Sequence, residues 1–491
     1  MNVCDSFVDL GPDGVAIVGA GLVGCLLGVY LRKHGFAVTI FESRPDPRLH
    51  ADAGRSINLV LTSRGIAALM GASDAVAARV MGITVPVFGR TLHSAAGERT
   101  YQPYGPDRSY CNFSVSRWEL NTVLMTAAEE AGCRLVFNHP LAHVDVPGGL
   151  LFFYLQDQAT TQLFQKSVKC AHIFATDGGG SRCRQALKGL LRAQAQDRAE
   201  PLRYGYKELT MPRPSPEAGM ALDTLHIWPR GTHFMMALPN RDGSNTMTLY
   251  MPETGGPVSF AALNTPAKVR SYFEQTYPDA VPLMPQMVEE FSRNPTGFLG
   301  TVFCAPWFFQ DRLLLLGDAA HAITPFFGQG CNLGFEDVAV LDVVLRETSK
   351  GPRNMEQVFS KVYLLRKPDA DAMGYMAIEN FTEMMSKTAS EKFLLEKAIE
   401  IELAKRFPQQ YASRYVLVTH SLVPYHKCMQ IGVLQQKILT ELASSVTNVT
   451  QVDYAQAKRL IEAELGPFLK KNNIQAKDFN YTCKYYPKAK L

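Results

Sequence analysis

The sequence predicts an α/β protein: a Rossmann-like parallel-sheet domain, an antiparallel-sheet domain beside it and a helical C-terminal region. Three observations carry this. First, an apolar strand, a glycine turn, a helix and a second strand follow one another in "GVAIVGAGLVGCLLGVYLRKHGFAVTIFESR" (14–44). Second, two later apolar strands, in "KCAHIFATDGGGSRCRQAL" (169–187) and "RLLLLGDAAHA" (312–322), both end in glycine and an acid before a helix start. Third, "DGSNTMTLYMP" (242–252), with "LHIWP" and "HFMMALP" before it, alternates polar and apolar residues as half-buried antiparallel strands do.

In the first of these segments Gly19, Gly21 and Gly24 form GxGxxG between strand and helix. The first glycine permits the tight turn, the second lets a diphosphate approach the backbone, and the third lets the helix pack closely on the strand. The diphosphate then faces the positive helix N-terminus. Glu42, at the end of the second strand and 18 residues past Gly24, is placed to accept hydrogen bonds from ribose hydroxyls. A carboxylate there suits an unphosphorylated adenosine ribose, hence FAD or NAD rather than NADP at this site. The two further strand ends suggest one long ligand stretched across the ends of a parallel sheet, which favours FAD; a plain NAD dehydrogenase does not require the third.

Bulk properties narrow the class. A chain of 491 residues exceeds what one hydrophobic core usually supports, so two or three structural regions are expected. The 50 basic and 46 acidic residues leave a net charge of +4 with no block of like charges, which argues against nucleic acid as a partner. Ten dispersed cysteines without a CxxC pair fit reduced thiols in an intracellular protein and argue against zinc. "MNVCDSFVDLGPDG" carries three acidic residues and no basic one, unlike a secretory signal or a transit peptide. No window offers 18 uncharged apolar residues, and the sequons at Asn112, Asn380, Asn448 and Asn480 read as chance matches.

The set "GAGLVG", "DGGGSRCR" and "GDAAHAITPFFGQGCN" resembles the flavoprotein aromatic hydroxylases, single-component FAD monooxygenases of the para-hydroxybenzoate hydroxylase fold. The resemblance implies that Asp318 contacts the FAD ribitol and that the backbone of Gly328, Gln329 and Gly330 lies near the isoalloxazine. It implies that Arg117, in "SVSRWELN", reaches the cofactor near its ribose and pyrophosphate, and that Asp177 with Gly178 supports FAD and the nicotinamide donor. Leu22, Val23, Arg44, Arg55, Cys331 and Asn332 complete the expected cofactor set.

Several stretches are similar to the branch of that family acting on L-kynurenine: "GRSINLVLTSRG" (54–65), "YGYKEL" (204–209), "LHIWPRGTHFMMALPN" (225–240), "PFFGQGCN" (325–332) and "ENFTEMMSK" (379–387). Such a substrate has a charged amino-acid head, whose carboxylate suits an arginine fork with tyrosine or amide donors, and a flat apolar body. The resemblance places the head on Arg90, Tyr104, Asn380 and Tyr415 and the ring against Phe326 and Phe327. Two departures stand near the flavin: Cys331 where many members have methionine and Thr324 where valine is common. His321 follows Asp318 at the helix start and is read as structural rather than as a base.

The expected organisation is an FAD-binding domain from 10–85, 108–200 and 300–348, and a substrate-binding sheet domain from 86–107 and 201–299. A helical region over 349–470 closes the pocket, with "SKGPRN" (349–354) as its boundary, and 471–491 is a tail whose end is expected to be solvated. The implied reaction is NADPH- and dioxygen-dependent hydroxylation to the 3-hydroxy product through a flavin C4a-hydroperoxide, with no protein nucleophile. Many eukaryotic members of that family carry a hydrophobic C-terminal anchor. The charged, amphipathic 431–471 here suggests a soluble cytoplasmic protein, the alternative being peripheral attachment to the mitochondrial outer membrane. A flavin monooxygenase for another aromatic acid, or a flavin-binding protein without turnover, remain open at this point.

Overall fold

A computed structural model describes residues 6–49, 57–156, 163–348, 354–383 and 391–486. The expected cofactor residue Arg55 lies outside the described residues, as do 349–353 of the expected boundary and 384–387 of the stretch that follows Asn380.

The strand Gly14–Val18 is buried at every position, as its unbroken apolar sequence requires of a strand covered on both faces. It pairs in parallel with Ala37–Phe41 on one side and His172–Ala175 on the other. Arg134–Val136 and Leu313–Leu315 extend the parallel sheet outward, and the short antiparallel strand Phe308–Phe309 closes one edge. The three strands that end in glycine and acid or glycine and helix are therefore neighbours, and their C-terminal ends share one edge of the sheet. The helix Leu22–Lys33 lies close on this sheet because Gly28 has no side chain. A Cβ there would stand 2.9 Å from Cys133 Sγ and 3.0 Å from Ile40 Cδ1. A four-stranded sheet (Ser6–Asp9, Leu163–Lys169, Leu150–Gln156, Leu141–Asp145) also packs on the central one, with Phe153 against Phe41 at a centroid distance of 4.9 Å.

The second large unit is a seven-stranded sheet in the order Gly297–Ala305, Gln196–Met211, Asn245–Pro252, Phe234–Pro239, Leu225–Pro229, Gly89–His93, Arg99–Pro103. All its pairs are antiparallel except Leu225–Pro229 with Gly89–His93. Its two faces differ. Met235, Ala237, Met247, Leu249, Leu209 and Met211 are buried with Phe273 and Phe291, on the helices Pro266–Thr276 and Met287–Arg293. The intervening residues line a cavity instead. The strands Gln196–Met211 and Gly297–Ala305 run through positions 200 and 300, so the chain passes between the two units along paired strands rather than through linkers.

The helices Met355–Thr382, Glu391–Arg406, Arg414–His420 and Tyr425–Ser444 follow. A buried ionic cluster binds them to the nucleotide-binding unit. Arg366 Nε donates to Asp337 Oδ1 at 2.9 Å, while its Nη1 lies 2.8 Å from Glu336 and 3.1 Å from Asp369. His426 Nδ1 stands 2.6 Å from Asp369, and Arg64 pairs with Glu336 at 2.7 Å while stacking on the Tyr425 ring. Each carboxylate here is held by at least one cation, the condition under which buried charge is tolerable.

The expectation of a solvated end is corrected over its described part. Tyr486 is buried against Phe113 and shares a 3.0 Å hydrogen bond with Ser63 Oγ; Tyr481 N donates to the carbonyl of His420. The Tyr486 ring brings its apolar area to the core and its hydroxyl finds a partner there. Among the described residues no helix is long and apolar enough to cross a membrane.

Candidate active site

The glycine turn is built as its residue types demand. Gly19 adopts φ +102°, and a Cβ there would stand 2.5 Å from the Thr176 carbonyl oxygen. A Cβ on Gly24 would collide with the Gly19 carbonyl oxygen, whereas one on Gly21 would meet nothing within 4 Å. The first and third glycines thus serve packing and the second faces open space. Thr176, at the end of the neighbouring strand, donates its hydroxyl to the carbonyls of Val18 and Gly19 and fixes the turn from below. Glu42 is buried beside the turn and accepts from Ala20 N at 3.0 Å and from Arg44 Nε at 2.8 Å. Burial works against its ionisation, but the Arg44 and Ala20 hydrogen bonds prevail and hold the carboxyl below its usual range. It remains charged, with Arg44 itself largely exposed.

From Gly21 a single cavity of about 2010 Å³ runs across the strand ends, under the seven-stranded sheet and on between the helices Glu391–Arg406 and Tyr425–Ser444. Pockets for one drug-sized ligand are typically about 300–1,000 Å³. There is room for two ligands end to end. On the nucleotide side Gly21, Leu22, Val23, Arg117, Gly178, Asp318, Gly328, Gly330 and Cys331 line it. Gly317 (φ +59°) and Gly328 (φ +65°) bracket the loop that carries Asp318 and the two phenylalanines. Burial pushes the Cys331 thiol up to about 12, so it meets the cavity as a neutral, weakly polar group.

The far end is aromatic and cationic. Arg90, on Gly89–His93, places its guanidinium 5.0 Å from the Tyr415 ring centroid and 5.9 Å from that of Tyr104. Those two rings stack at 5.5 Å. Burial raises both phenols above their ordinary value, which keeps them protonated and able to donate. Between the two ends lies the slab. Leu225 and Ile227, Phe234, Met236 and Leu238, and Thr248 and Tyr250 all come from alternate positions on three adjacent strands. Phe326 completes it, 4.7 Å from Phe381, 5.5 Å from Tyr250 and 6.0 Å from Phe234, while Phe327 turns toward Tyr415 at 6.1 Å.

Some expected residues lie off the cavity wall. Asp177 caps the helix Arg182–Leu191, accepting from Ser181 Oγ at 2.6 Å and Cys183 N at 3.2 Å, and it is Gly178 that faces the cavity. Gln329 and Asn332 are fully buried side chains that tie the glycine loop to its neighbours. Gln329 Oε1 accepts from Tyr425 OH at 2.8 Å; Asn332 Oδ1 accepts from Thr62 N, and its Nδ2 donates to the carbonyls of Val60 and Gly328. They shape the loop from behind. Asn380 does line the cavity, but its Nδ2 donates to the Phe326 carbonyl at 2.9 Å, so this side chain also clips the helix Met355–Thr382 to the aromatic loop. His321 faces inward to Asp337 at 2.6 Å and is absent from the wall.

Sequence reasoning missed Asn112, Tyr250, Met236 and Ile227. The last three carried a signal in the period of two along their strands. Asn112, which donates to Tyr415 OH at 3.2 Å, carried none.

The residues present fit a dinucleotide flavin. The turn at Gly21 is open to a diphosphate, a buried carboxylate stands at the neighbouring strand end, and Asp318 opens into the cavity two strands away on the other side of the turn. The FAD binding domain family matches residues 14–358 of the chain. Fold, site and family match together define a flavoprotein. Among solved structures, Klebsiella pneumoniae HpxO complexed with FAD and uric acid aligns with a TM-score of 0.62 at 17% identity, over 80% of this chain and 94% of that one. The tetrameric form of 2-methyl-3-hydroxypyridine-5-carboxylic acid oxygenase aligns with a TM-score of 0.60 at 17% identity, over 79% and 97%. These likenesses concern the fold alone. In sequence, the kynurenine 3-monooxygenase of Myxococcus xanthus is 44% identical over 465 residues, 94% of this chain and 97% of its own length. That of Flavobacterium psychrophilum is 40% identical over 430 residues, 87% and 93%. The chain belongs to the kynurenine 3-monooxygenase family.

Proposed function

We propose that this protein hydroxylates L-kynurenine at ring carbon 3, with FAD as resident cofactor and NADPH and dioxygen as co-substrates. The observation that carries the reading is the union, in one cavity, of a flavin cradle with the Arg90, Tyr104 and Tyr415 cluster across an apolar slab. When bound, FAD takes a hydride from NADPH and delivers one atom of dioxygen to the ring, the other leaving as water.

The protein's own part is placement. Gly21, Asp318 and Arg117 would hold the cofactor by its diphosphate, its ribitol and its ribose. Arg90 pairs with the substrate carboxylate, and the Tyr104 and Tyr415 hydroxyls donate beside it. With the head fixed, the aminophenyl ring lies between Phe326 and the sheet residues Ile227, Met236 and Tyr250. Its amine-activated carbon is then presented to the flavin end. The slab keeps water from the reacting atoms, where it would divert reducing equivalents into unproductive oxygen reduction. Asn380 contributes through its amide nitrogen, which holds the Phe326 carbonyl and so fixes the aromatic loop against the ring.

Anaerobic mixing with NADPH, with and without L-kynurenine, tests this directly. Flavin bleaching is expected to accelerate with substrate, and equal slow rates in both would remove kynurenine as the substrate. Release into the cytoplasm is part of the same proposal, supported by the charge on the C-terminal helices; recovery in a carbonate-washed membrane pellet would refute it.

A further inference from the structure

Asn112 opens the strand Asn112–Ser116, opposite Val87, and reaches the cavity between the two stacked tyrosines. It is only 3% exposed. Its Nδ2 donates to the Tyr415 hydroxyl at 3.2 Å, and the Tyr104 hydroxyl lies within hydrogen-bonding reach of the same amide and of Tyr415. The other end of the amide, Oδ1, is buried without any partner.

A phenol hydroxyl has one proton and two lone pairs. Where the amide nitrogen donates into the phenol oxygen, a lone pair is consumed and the proton must go elsewhere. One phenol can give its proton to the other. The proton left over has one direction open, toward the cavity and the Arg90 guanidinium side, where an anionic oxygen would accept it. With the amide reversed, Oδ1 would accept the phenol protons, and the pocket would offer a ligand lone pairs in place of a donor. The orientation present leaves an acceptor orphaned, and an unsatisfied buried group beside a ligand cavity calls for an explanation. Local hydrogen bonding alone gives no reason for it.

We propose that Asn112 is a positioning residue that sets the polarity of the Tyr104 and Tyr415 pair, leaving one phenol proton directed at the substrate and so selecting a carboxylate head over a neutral carboxamide. The inference rests on the proposed kynurenine reading. In this role Asn112 acts through the two phenols.

The test compares L-kynurenine with its carboxamide, identical in ring and side chain but neutral at the head. KM, kcat and flavin content are measured for the unaltered enzyme, Asn112→Asp and Asn112→Leu. Aspartate is isosteric and only accepts, so both phenol protons turn to it; leucine removes the donor without adding charge. The KM preference for carboxylate over carboxamide is expected to fall about tenfold or more in Asn112→Asp and at least severalfold in Asn112→Leu, the worth of a charge-assisted hydrogen bond. The change should appear in KM for L-kynurenine rather than in kcat, with flavin content retained. An unchanged preference in both variants overturns the proposal. A change in Asn112→Asp alone also overturns it, because charge repulsion then explains everything. Equal losses on both substrates would mean that Asn112 merely supports the fold. Absence of turnover by the unaltered enzyme would instead sink the functional reading.

Discussion

Replacing Arg90 by alanine isolates the contribution of head-group recognition. The guanidinium stands over two tyrosine rings at 5.0 and 5.9 Å, the second close to the outer limit for a cation–π contact, and it is only half-buried. Its removal therefore costs the fold little, and the melting temperature should shift only slightly. The substrate loses much more. Truncating one partner of a buried, hydrogen-bonded charge pair costs about 2–5 kcal/mol. Since Arg90 keeps some contact with the open cavity, the lower part of that range applies, about 2–3 kcal/mol, or a rise of about 30- to 150-fold in KM for L-kynurenine. The assay is steady-state NADPH oxidation alongside quantified 3-hydroxykynurenine. Product per NADPH should also fall, because an untethered ring no longer sits at a fixed distance from the flavin end. Arg90→Lys keeps the charge without the planar fork and should fall between the two. A KM unchanged in Arg90→Ala would refute the reasoning and take the carboxylate out of this corner of the cavity.

Three further outcomes are expected. Gly24→Ala sets a methyl against the Gly19 carbonyl and should yield protein with little bound flavin; a fully yellow preparation would show that the helix can yield. Thr324 has its hydroxyl buried without a partner and caps nothing, so Thr324→Val should raise the thermal midpoint by the equivalent of about 1 kcal/mol, and a lowered midpoint would reveal a partner for the hydroxyl. Burial lowers His226 and His233 to about 4 and His420 to about 3, from an ordinary 6.5. The folded protein keeps all three neutral while the unfolded chain takes up protons below pH 6.5, so their stabilisation is complete above 6.5 and is lost as pH falls toward 4. The slope is up to about 4 kcal/mol per pH unit for three groups. His420→Phe, replacing a ring with neither nitrogen bonded, should flatten that slope in urea titrations by about one third, and an unaltered slope would count against it.

What could be read in the sequence and what could not divide along physical lines. The three glycine-bounded strand ends were legible because each is a local pattern, and the parallel sheet then made them neighbours without further information. The alternation at 242–252 was equally local, and it marks which strand residues share a face, though not that one face would border a cavity and the other the helices Pro266–Thr276 and Met287–Arg293. Gln329 and Asn332 show the limit of motif reading. They stand among the glycines of the flavin loop, yet Thr62, Val60 and Tyr425, far away in the chain, draw their side chains inward. Asn112 was invisible for the same reason, its meaning residing in Tyr415, some 300 positions later. Tyr486 was misjudged because a basic, proline-containing end reads as solvated, and only the tertiary pocket at Ser63 and Phe113 makes burial favourable.

The last described residues close on some of the first, with Tyr486 against Ser63, Asn480 reaching Ser109, and Phe479 in the cavity wall beside elements carrying Tyr415. Synthesis runs the other way. A chain emerging from the ribosome has Gly19, Glu42, Asp177 and Asp318 in hand long before Tyr415 and Phe479 exist. The cradle for the oxidising cofactor can therefore be assembled while the chamber that confines its chemistry is still missing a wall. Order of manufacture thus leaves an interval in which the growing chain has what it needs to hold the cofactor and lacks what it needs to aim it.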